Sequence, residues 1–349
     1  MASRFGNKMG RSTRLLMLDG GMGNYLQKTG MPPNMEIWSL AAMIDEKWHC
    51  KVIEAHREYL NAGADIITTN SYAVTPLYLS RCGKLKELRK YIQMSVDLAE
   101  TARTQYMKEQ RGATKPLIAG SIPPLMESYD ANGMMEESKS ILYYDQMVDQ
   151  FKNSDIDLFL VETMSTVQEA KYVLNAMICN GLTKDGADGR DIYLFFTLRE
   201  DGKLRDGMSF NEVMAKLREY LDVLPIAMIG ANCCQPEAFE MMMDGLNQDS
   251  ITMLKENGVS MGCYPNSYAP IPTGRKIAEY TIPERKDLPP EALYSLHFKR
   301  WVEKFGNDRY RLGLIGGCCG TFPTHIGYAV DAVNRDFPQL RAQMLSSKL

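Results

Sequence analysis

The chain has 349 residues, of which 45% are hydrophobic and 24% are charged, a composition typical of a globular protein that can bury a large core. Its formal net charge of -3 at pH 7 gives no electrostatic reason to expect binding to nucleic acid or to an anionic membrane. No apolar run approaches the roughly 20 residues that a membrane-spanning helix needs.

From residue 14 onward, short apolar or β-branched runs alternate with segments of helical periodicity. The short runs predict eight strands, at residues 14–19, 64–70, 116–120, 157–162, 192–197, 226–231, 259–264 and 312–315. The periodic segments predict helices at residues 46–61, 85–108, 141–152, 167–179, 211–221, 236–245, 290–305 and 323–333.

This alternation predicts an α/β fold, a (β/α)8 TIM barrel that forms a single domain over residues 14–340. An open sheet of six or seven strands would also alternate with helices, so the count of eight decides in favour of the barrel. Residues 266–290 are rich in proline and charge and show no period. We expect them to form a long loop insertion after the seventh strand.

The two ends of the chain carry separate signals. Residues 1–13 include basic side chains but no acid, and they predict a disordered leader. A C-terminal tail is expected at residues 341–349, and its final Ser347-Lys348-Leu349 matches a peroxisomal import signal. We therefore expect a peroxisome or a related organelle, with the cytoplasm as the alternative. The eight cysteines are expected to be reduced, since a chain this long is not a disulfide scaffold.

In a barrel of this kind, reactive groups lie at the carboxyl ends of the strands. These ends place two carboxylates and two cysteine pairs, Cys233-Cys234 and Cys318-Cys319, at one mouth. The candidate substrate-binding residues at these ends are Asp19, Gly20, Gly21, Ser71, Tyr72, Glu162, Thr163 and Asn232.

Adjacent cysteines flanked by glycines, as at Cys318 and Cys319, fit buried filler, a vicinal disulfide or a pair of metal ligands. With Cys233 or Cys234 they would supply three thiolates and leave a fourth position open, which is the pattern of a catalytic zinc site. Three thiolates leave the site formally negative, so it would bind another thiol as a nucleophilic thiolate better than it would generate hydroxide. The chemistry predicted from charge is thiol alkylation.

Nine segments in order resemble the homocysteine S-methyltransferases along nearly the whole chain. They are LDGGMGNYLQ (18–27), IWSLAA (37–42), GADIITTNSYAVTP (63–76), GSIPPL (120–125), ETMSTVQEA (162–170), FFTLREDGKLRDG (195–207), GANCC (230–234), CYPNS (263–267) and GGCCGT (316–321).

The resemblance implies a (β/α)8 barrel with Zn2+ as cofactor, held by Cys233, Cys318 and Cys319, which would also be the catalytic groups. It implies that Asp19 and Glu162 hold the amino group of homocysteine. The homocysteine sulfur would bind the open zinc position, lose its proton and attack an activated methyl group, giving methionine. The expected partners are therefore two small molecules, homocysteine and a methyl donor, with no nucleic acid and no membrane.

The donor implied by the resemblance is a methylsulfonium compound, S-methylmethionine or S-adenosylmethionine. The betaine-using branch carries an aromatic residue where this chain has Thr163, and Trp38-Ser39 resembles the S-methylmethionine branch. The chain departs from that branch after Asn266. Betaine as donor, or selenocysteine or another small thiol as acceptor, is the alternative. A zinc-storing or redox-sensing barrel without transferase activity is the alternative of another class.

Overall fold

The structure is a computed structural model that describes residues 14–34, 36–275 and 282–341. The predicted leader and the C-terminal import signal lie outside the described residues, so both stay predictions. Among the described residues, no helix combines the length and the apolar character needed to cross a membrane.

Eight parallel strands form a single sheet. They are β1 Leu16–Met17, β2 Ile66–Thr68, β3 Leu117–Ile122, β4 Leu158–Met164, β5 Asp191–Phe196, β6 Ile226–Asn232, β7 Ser260–Tyr264 and β8 Leu312–Ile315. Their order is β1-β8-β7-β6-β5-β4-β3-β2. A parallel bridge between Leu18 and Ile66 joins the two outer strands, so the sheet closes on itself. The predicted (β/α)8 barrel is therefore confirmed.

Helices connect successive strands on the outside of the barrel. The α-helices are α1 Met22–Lys28, α2 Ala41–Ile44, α3 His49–Asn61, α4 Pro76–Arg81, α5 Leu88–Glu109, α6 Glu137–Lys152, α7 Val167–Cys179, α8 Phe210–Val223, α9 Pro236–Asp244, α10 Gln248–Glu256, α11 Pro290–Leu293, α12 Lys299–Phe305, α13 Pro323–Asp336 and α14 Pro338–Arg341. Short 3-10 turns cover Trp38–Leu40, Glu46–Trp48 and Leu85–Glu87, and a π-helical turn covers Tyr294–Phe298.

The structure differs from the sequence expectation mainly in its short elements. The pattern did not predict α1, α2, α4, α10 or α14. Glycine weakens the helical signal of the first, which spans only seven residues. The helix predicted at 290–305 is present, but the π-helical turn separates α11 from α12. The ladder of β1 covers two residues of the predicted six.

Side-chain caps fix the start of two of the helices that follow barrel strands. The Thr166 side chain accepts a hydrogen bond from the Glu169 N–H and caps α7 three residues after β4. Ser209 and Glu212 form a reciprocal capping box at the start of α8. Such caps fix the point at which the chain turns, and so hold the strand ends that carry the polar side chains.

Two layers of apolar side chains form the core. The larger layer packs between the strands and the surrounding helices. The smaller layer fills the barrel and includes Leu18, Ile66, Leu160, Phe195 and Leu314, all nearly inaccessible to solvent. The barrel interior is therefore a packed core, and it leaves only the mouth for a ligand.

Asp65 ties the two ends of the barrel domain together at the face opposite the mouth. It lies just before β2, and its carboxylate accepts the Met17 N–H at 2.8 Å. The same carboxylate pairs with Arg14 at 2.7 Å and with Arg341 at 2.5 Å. Since Asp65 is buried and both arginines are partly buried, removal of the carboxylate would leave two cations facing each other.

We expect Asp65→Asn to lower the free energy of unfolding by about 2 kcal/mol, because partial solvent exposure of the arginines screens part of the loss. Denaturant unfolding measures it. Asp244→Asn is the control, since Asp244 pairs with Lys304 where both side chains are half exposed, and we expect a change below about 0.5 kcal/mol. Equal effects of the two substitutions would contradict this account of the barrel base.

Candidate functional site

A cavity of about 170 Å3 opens at the carboxyl ends of the strands. Its wall gathers residues from the ends of β1, β2, β4, β6, β7 and β8, together with part of the 266–290 segment. Eight of the residues predicted from the sequence lie on this wall: Asp19, Gly20, Gly21, Tyr72, Glu162, Cys233, Cys318 and Cys319.

Three cysteine sulfurs meet at this wall. Cys233 follows β6, and Cys318 and Cys319 follow β8. Their sulfurs all lie within 4.8 Å of one another, and those of Cys233 and Cys319 are 3.7 Å apart. A tetrahedral zinc ion with Zn–S bonds of about 2.3 Å would hold its sulfurs roughly 3.8 Å apart. The cluster therefore fits a thiophilic metal ion, and it is the one such group of three or more ligands among the described residues.

The geometry decides between the two cysteines that spacing left open. Cys233 has a positive φ of 47°, an uncommon backbone conformation for a residue other than glycine. Cys234 is buried among the apolar residues of the larger core layer and does not belong to the group formed with the sulfurs of Cys318 and Cys319. The strained turn after β6 thus presents Cys233 alone to the cavity.

Glycines let the Cys318-Cys319 turn fold tightly. A β-carbon on Gly317 would lie 2.0 Å from the Thr321 hydroxyl oxygen, which itself donates to the Cys318 carbonyl at 2.6 Å. Gly320 has a φ of 76°, a conformation that glycine adopts without steric cost. The glycines on both sides of the pair therefore have a structural reason, which the filler interpretation does not supply.

The three thiols differ in the direction in which their pKa values are shifted. Hydrogen bonding with Cys318 and Cys319 holds the pKa of Cys233 well below its usual range. The corresponding contacts with Cys233 raise the pKa values of Cys318 and Cys319. These contacts favour a single thiolate within the cluster of three cysteines.

Asp19 is a buried carboxylate beside the cluster. It accepts hydrogen bonds from the Thr68 N–H at 2.7 Å and from the Thr68 hydroxyl at 2.9 Å. Burial raises its pKa to about 8, because a charged carboxylate without a cation is costly in this environment. A ligand that supplies a positive charge would lower that cost.

Glu162 is the second buried carboxylate. It accepts hydrogen bonds from the Ser121 hydroxyl at 2.5 Å and from the Tyr264 hydroxyl at 3.1 Å. Burial raises its pKa to about 7, although these two hydrogen bonds oppose the shift. The charge of Glu162 also contributes to the raised pKa of Asp19, so the two carboxyl groups are electrostatically coupled.

Two of the predicted glycines allow the backbone to approach closely. A β-carbon on Gly20 would lie 2.8 Å from the Thr321 carbonyl oxygen, and one on Gly21 would lie 2.8 Å from the Cys318 carbonyl oxygen. Tyr72 lies on the wall, and its hydroxyl is hydrogen-bonded to Ser128. These residues shape the cavity and bring the loop after β1 against the cysteine turn.

Three predicted residues lie behind the wall and not on it. The Ser71 hydroxyl donates to the Ser121 carbonyl at 2.9 Å. The Thr163 N–H donates to the Asn232 side-chain oxygen at 2.8 Å, and the Asn232 amide donates to the Thr163 hydroxyl at 2.8 Å. The same amide reaches a Glu162 oxygen at 3.4 Å. They therefore support the residues that face the cavity.

Sequence reasoning missed four side chains that contact the site residues. Thr68 binds Asp19, while Ser121 and Tyr264 bind Glu162. The signal for these three was present, since all lie within or at the end of a barrel strand. The fourth, Tyr129, donates to the Cys233 sulfur at 3.0 Å from the connection between β3 and α6, where no pattern marks it.

Comparisons with known proteins point to one family. A sequence model of the family "Homocysteine S-methyltransferase" matches residues 16–333. Homocysteine S-methyltransferase 1 from Zea mays is 27% identical, covering 89% of this chain and 91% of that protein. Homocysteine S-methyltransferase YbgG from Bacillus subtilis is 26% identical, covering 89% and 92%.

The fold has a solved counterpart. The metallated form of the homocysteine methyltransferase MmuM from Escherichia coli superposes with a TM-score of 0.70 at 21% identity, covering 91% of this chain and 96% of that one. At this identity the likeness establishes the shared barrel fold.

We expect Asp19→Asn to stabilise the protein at alkaline pH. Because folding raises the Asp19 pKa from 3.8 to about 8, the carboxylate costs stability progressively as the pH rises from about 4 to about 8. The neutral amide removes that cost, so the advantage of the variant grows over this interval to a few kcal/mol. Denaturant unfolding at about pH 5.5 and about pH 8 measures it. An advantage that does not grow with pH would contradict the assignment.

Proposed function

This chain belongs to the homocysteine S-methyltransferase family, and from that premise we propose that it transfers a methyl group from a methylsulfonium donor to homocysteine at a zinc ion held by Cys233, Cys318 and Cys319. Its activity as a methyltransferase acting on homocysteine follows from the family. The zinc ion and the donor are the proposal. The observation that carries it is the convergence of three sulfurs, from two strands that are not neighbours, beside two buried carboxylates.

The donor set is the first support for zinc. Cys233, Cys318 and Cys319 would hold the zinc ion, which would supply the positive charge that keeps a substrate thiol deprotonated at neutral pH. The cluster lies at the mouth, where Cys318 and Cys319 are partly accessible, so a substrate can reach it.

The two carboxylates supply the second support. Homocysteine carries an ammonium group, and Asp19 and Glu162 are two acidic groups that can ionise beside it on the wall that also holds the sulfurs. A bound ammonium would lower the raised pKa values of both carboxyl groups, and this gain appears only when the substrate is present. The two carboxylates therefore position the substrate by its amino group while its sulfur lies at the cysteine cluster.

The reaction then requires that the homocysteine sulfur be aligned with the methyl group of the donor. The homocysteine thiolate forms a new S–CH3 bond as the C–S bond of the donor breaks, and the bonding electron pair leaves with the donor sulfur as a neutral thioether. The proton lost from the homocysteine thiol passes to solvent. Enclosure in a largely buried cavity favours this charge-neutralising step, since both reactants lose charge in the transition state.

The wall of the cavity supports a cationic donor. The side chains of Trp38, Tyr72, Tyr264 and Tyr268 line it, and aromatic faces attract sulfonium and ammonium groups alike. Thr163 lies behind the wall in contact with Asn232, so no aromatic ring extends from that position to enclose a quaternary ammonium. A sulfonium donor also has the better leaving group. These arguments favour S-methylmethionine or S-adenosylmethionine over betaine.

We predict that Cys318→Ala and Cys233→Ala each lose the bound zinc ion and reduce turnover to the background rate, because two thiolates hold the ion far more weakly than three. Metal analysis of the purified variants and a methionine-formation assay measure both effects. Cys234→Ala is the matched control: its sulfur lies in the core layer, and we expect it to keep one zinc ion and most of the activity. A Cys318→Ala variant that is fully active without metal would exclude the proposal.

We predict that donors competing at a fixed homocysteine concentration show at least a tenfold preference for a methylsulfonium compound over betaine, equivalent to about 1.4 kcal/mol in transition-state free energy. S-methylmethionine, S-adenosylmethionine and betaine, each with a distinct isotopic methyl label, are supplied together. Mass analysis of the methionine product identifies the donor. Methionine labelled chiefly from betaine would overturn the donor assignment and leave the zinc site untouched.

A further inference from the structure

We propose that Tyr129 is a positioning residue of the metal centre: its phenol donates a hydrogen bond to the Cys233 thiolate and so sets how much charge that sulfur gives to the metal. The inference rests on the proposed zinc site. It adds a residue that lies outside all nine family-like segments and outside the carboxyl ends of the strands.

The contact is direct and shielded from water. The Tyr129 hydroxyl oxygen lies 3.0 Å from the Cys233 sulfur, and both residues are buried. Tyr129, Cys233, Ile271 and Ile282 form a small apolar cluster, against which Cys318 and Cys319 also pack. A hydrogen bond to a charged acceptor is strengthened in such surroundings because water does not compete for either partner.

Tyr129 is held in place from two sides. The Arg205 guanidinium lies 4.9 Å from the centre of the Tyr129 ring, and it donates to the Ile271 carbonyl at 2.6 Å. The Tyr129 carbonyl accepts the Gly274 N–H at 2.6 Å. The tyrosine is thus fixed between the connection after β5 and the segment after β7, and its hydroxyl has little freedom to turn away from the sulfur.

Cys233 is held independently through its backbone. Its N–H donates to the Tyr264 carbonyl at 3.1 Å, and the Thr197 hydroxyl donates to the Cys233 carbonyl at 3.3 Å. Arg205 donates to that same Thr197 hydroxyl at 3.2 Å. Since the backbone has its own contacts, the loss of the Tyr129 hydroxyl would change the electronic state of the sulfur more than its position.

Because the backbone contacts fix the position of Cys233, the role of Tyr129 concerns the charge on the sulfur. A donated hydrogen bond withdraws electron density from a thiolate, so a metal bound to that thiolate keeps more positive charge for its fourth ligand. Three unmodified thiolates would leave little positive charge to hold the sulfur of homocysteine. Partners in this outer layer orient a ligand and tune its basicity, and their loss typically weakens metal binding about 10- to 100-fold.

The test is Tyr129→Phe, which removes the hydroxyl and keeps the ring beside Arg205. In the cobalt-substituted protein, we expect the sulfur-to-cobalt charge-transfer band to move to longer wavelength, because the unbonded thiolate gives up an electron more easily. Zinc affinity, measured by competition with a chromophoric chelator, should change about tenfold. The Michaelis constant for homocysteine should rise more than kcat falls.

Tyr193→Phe is the matched control. Tyr193 is a buried tyrosine of β5 that packs in the barrel interior near Arg14, at the face opposite the metal centre. It should leave both the band and the zinc affinity unchanged. Should Tyr129→Phe fail to fold by circular dichroism, 3,5-difluorotyrosine in place of Tyr129 provides the second variant. Its stronger hydrogen-bond donor should move the band to shorter wavelength.

The outcomes separate the two proposals. A wild-type protein without any sulfur-to-cobalt band would refute the zinc site itself. A wild-type band that neither Tyr129→Phe nor the fluorinated residue moves, with unchanged zinc affinity, would overturn the role of Tyr129 alone. Shifts in opposite directions for the two variants would establish the hydrogen bond as the cause.

Discussion

The pairing of β1 with β8, the first and the last strand of the chain, is the constraint on which the site depends. The Leu18 N–H donates to the Ile315 carbonyl at 2.9 Å, and the Gly317 N–H donates to the Asp19 carbonyl at 2.9 Å. Across this seam the carboxylate that follows β1 and the cysteine pair that follows β8 are fixed with respect to each other. An open sheet would leave the two groups at opposite edges. The spacing between the amine-binding and sulfur-binding parts of the cavity is therefore set by the pairing of the barrel strands. The loops only connect these strands to the helices that follow.

The site also gathers several acidic groups in largely buried surroundings. Asp19, Glu162 and the three thiols share one wall, and burial raises the pKa of both carboxyl groups. This arrangement lowers the stability of the free protein, and ligands that bring positive charge offset the loss. A divalent metal ion would offset the charge of the thiolates, and a substrate ammonium group would offset the charge of the two carboxylates. The methyl donor, itself a cation, would be the third positive group to enter.

The sequence predicted the fold and the reactive groups because both follow from regular patterns. The hydrophobic periods predict eight strands that alternate with helices, and reactive side chains such as Glu162 and Cys318 lie at strand ends. The short helices, the π-helical turn and the contact of Tyr129 with Cys233 depend on contacts between segments far apart in the chain, which no local pattern encodes. Ser71, Thr163 and Asn232 show the converse: they lie at strand ends, yet their side chains are engaged behind the wall.

X-ray absorption at the zinc edge, with and without homocysteine, tests the central claim most directly. We predict three sulfur ligands at about 2.3 Å in the protein alone and four after saturation with homocysteine. The fourth sulfur would show that the position left open by Cys233, Cys318 and Cys319 is the place where the substrate thiolate binds. A sulfur count that stays at three when homocysteine saturates the protein, or a first shell made chiefly of nitrogen and oxygen, would contradict the account.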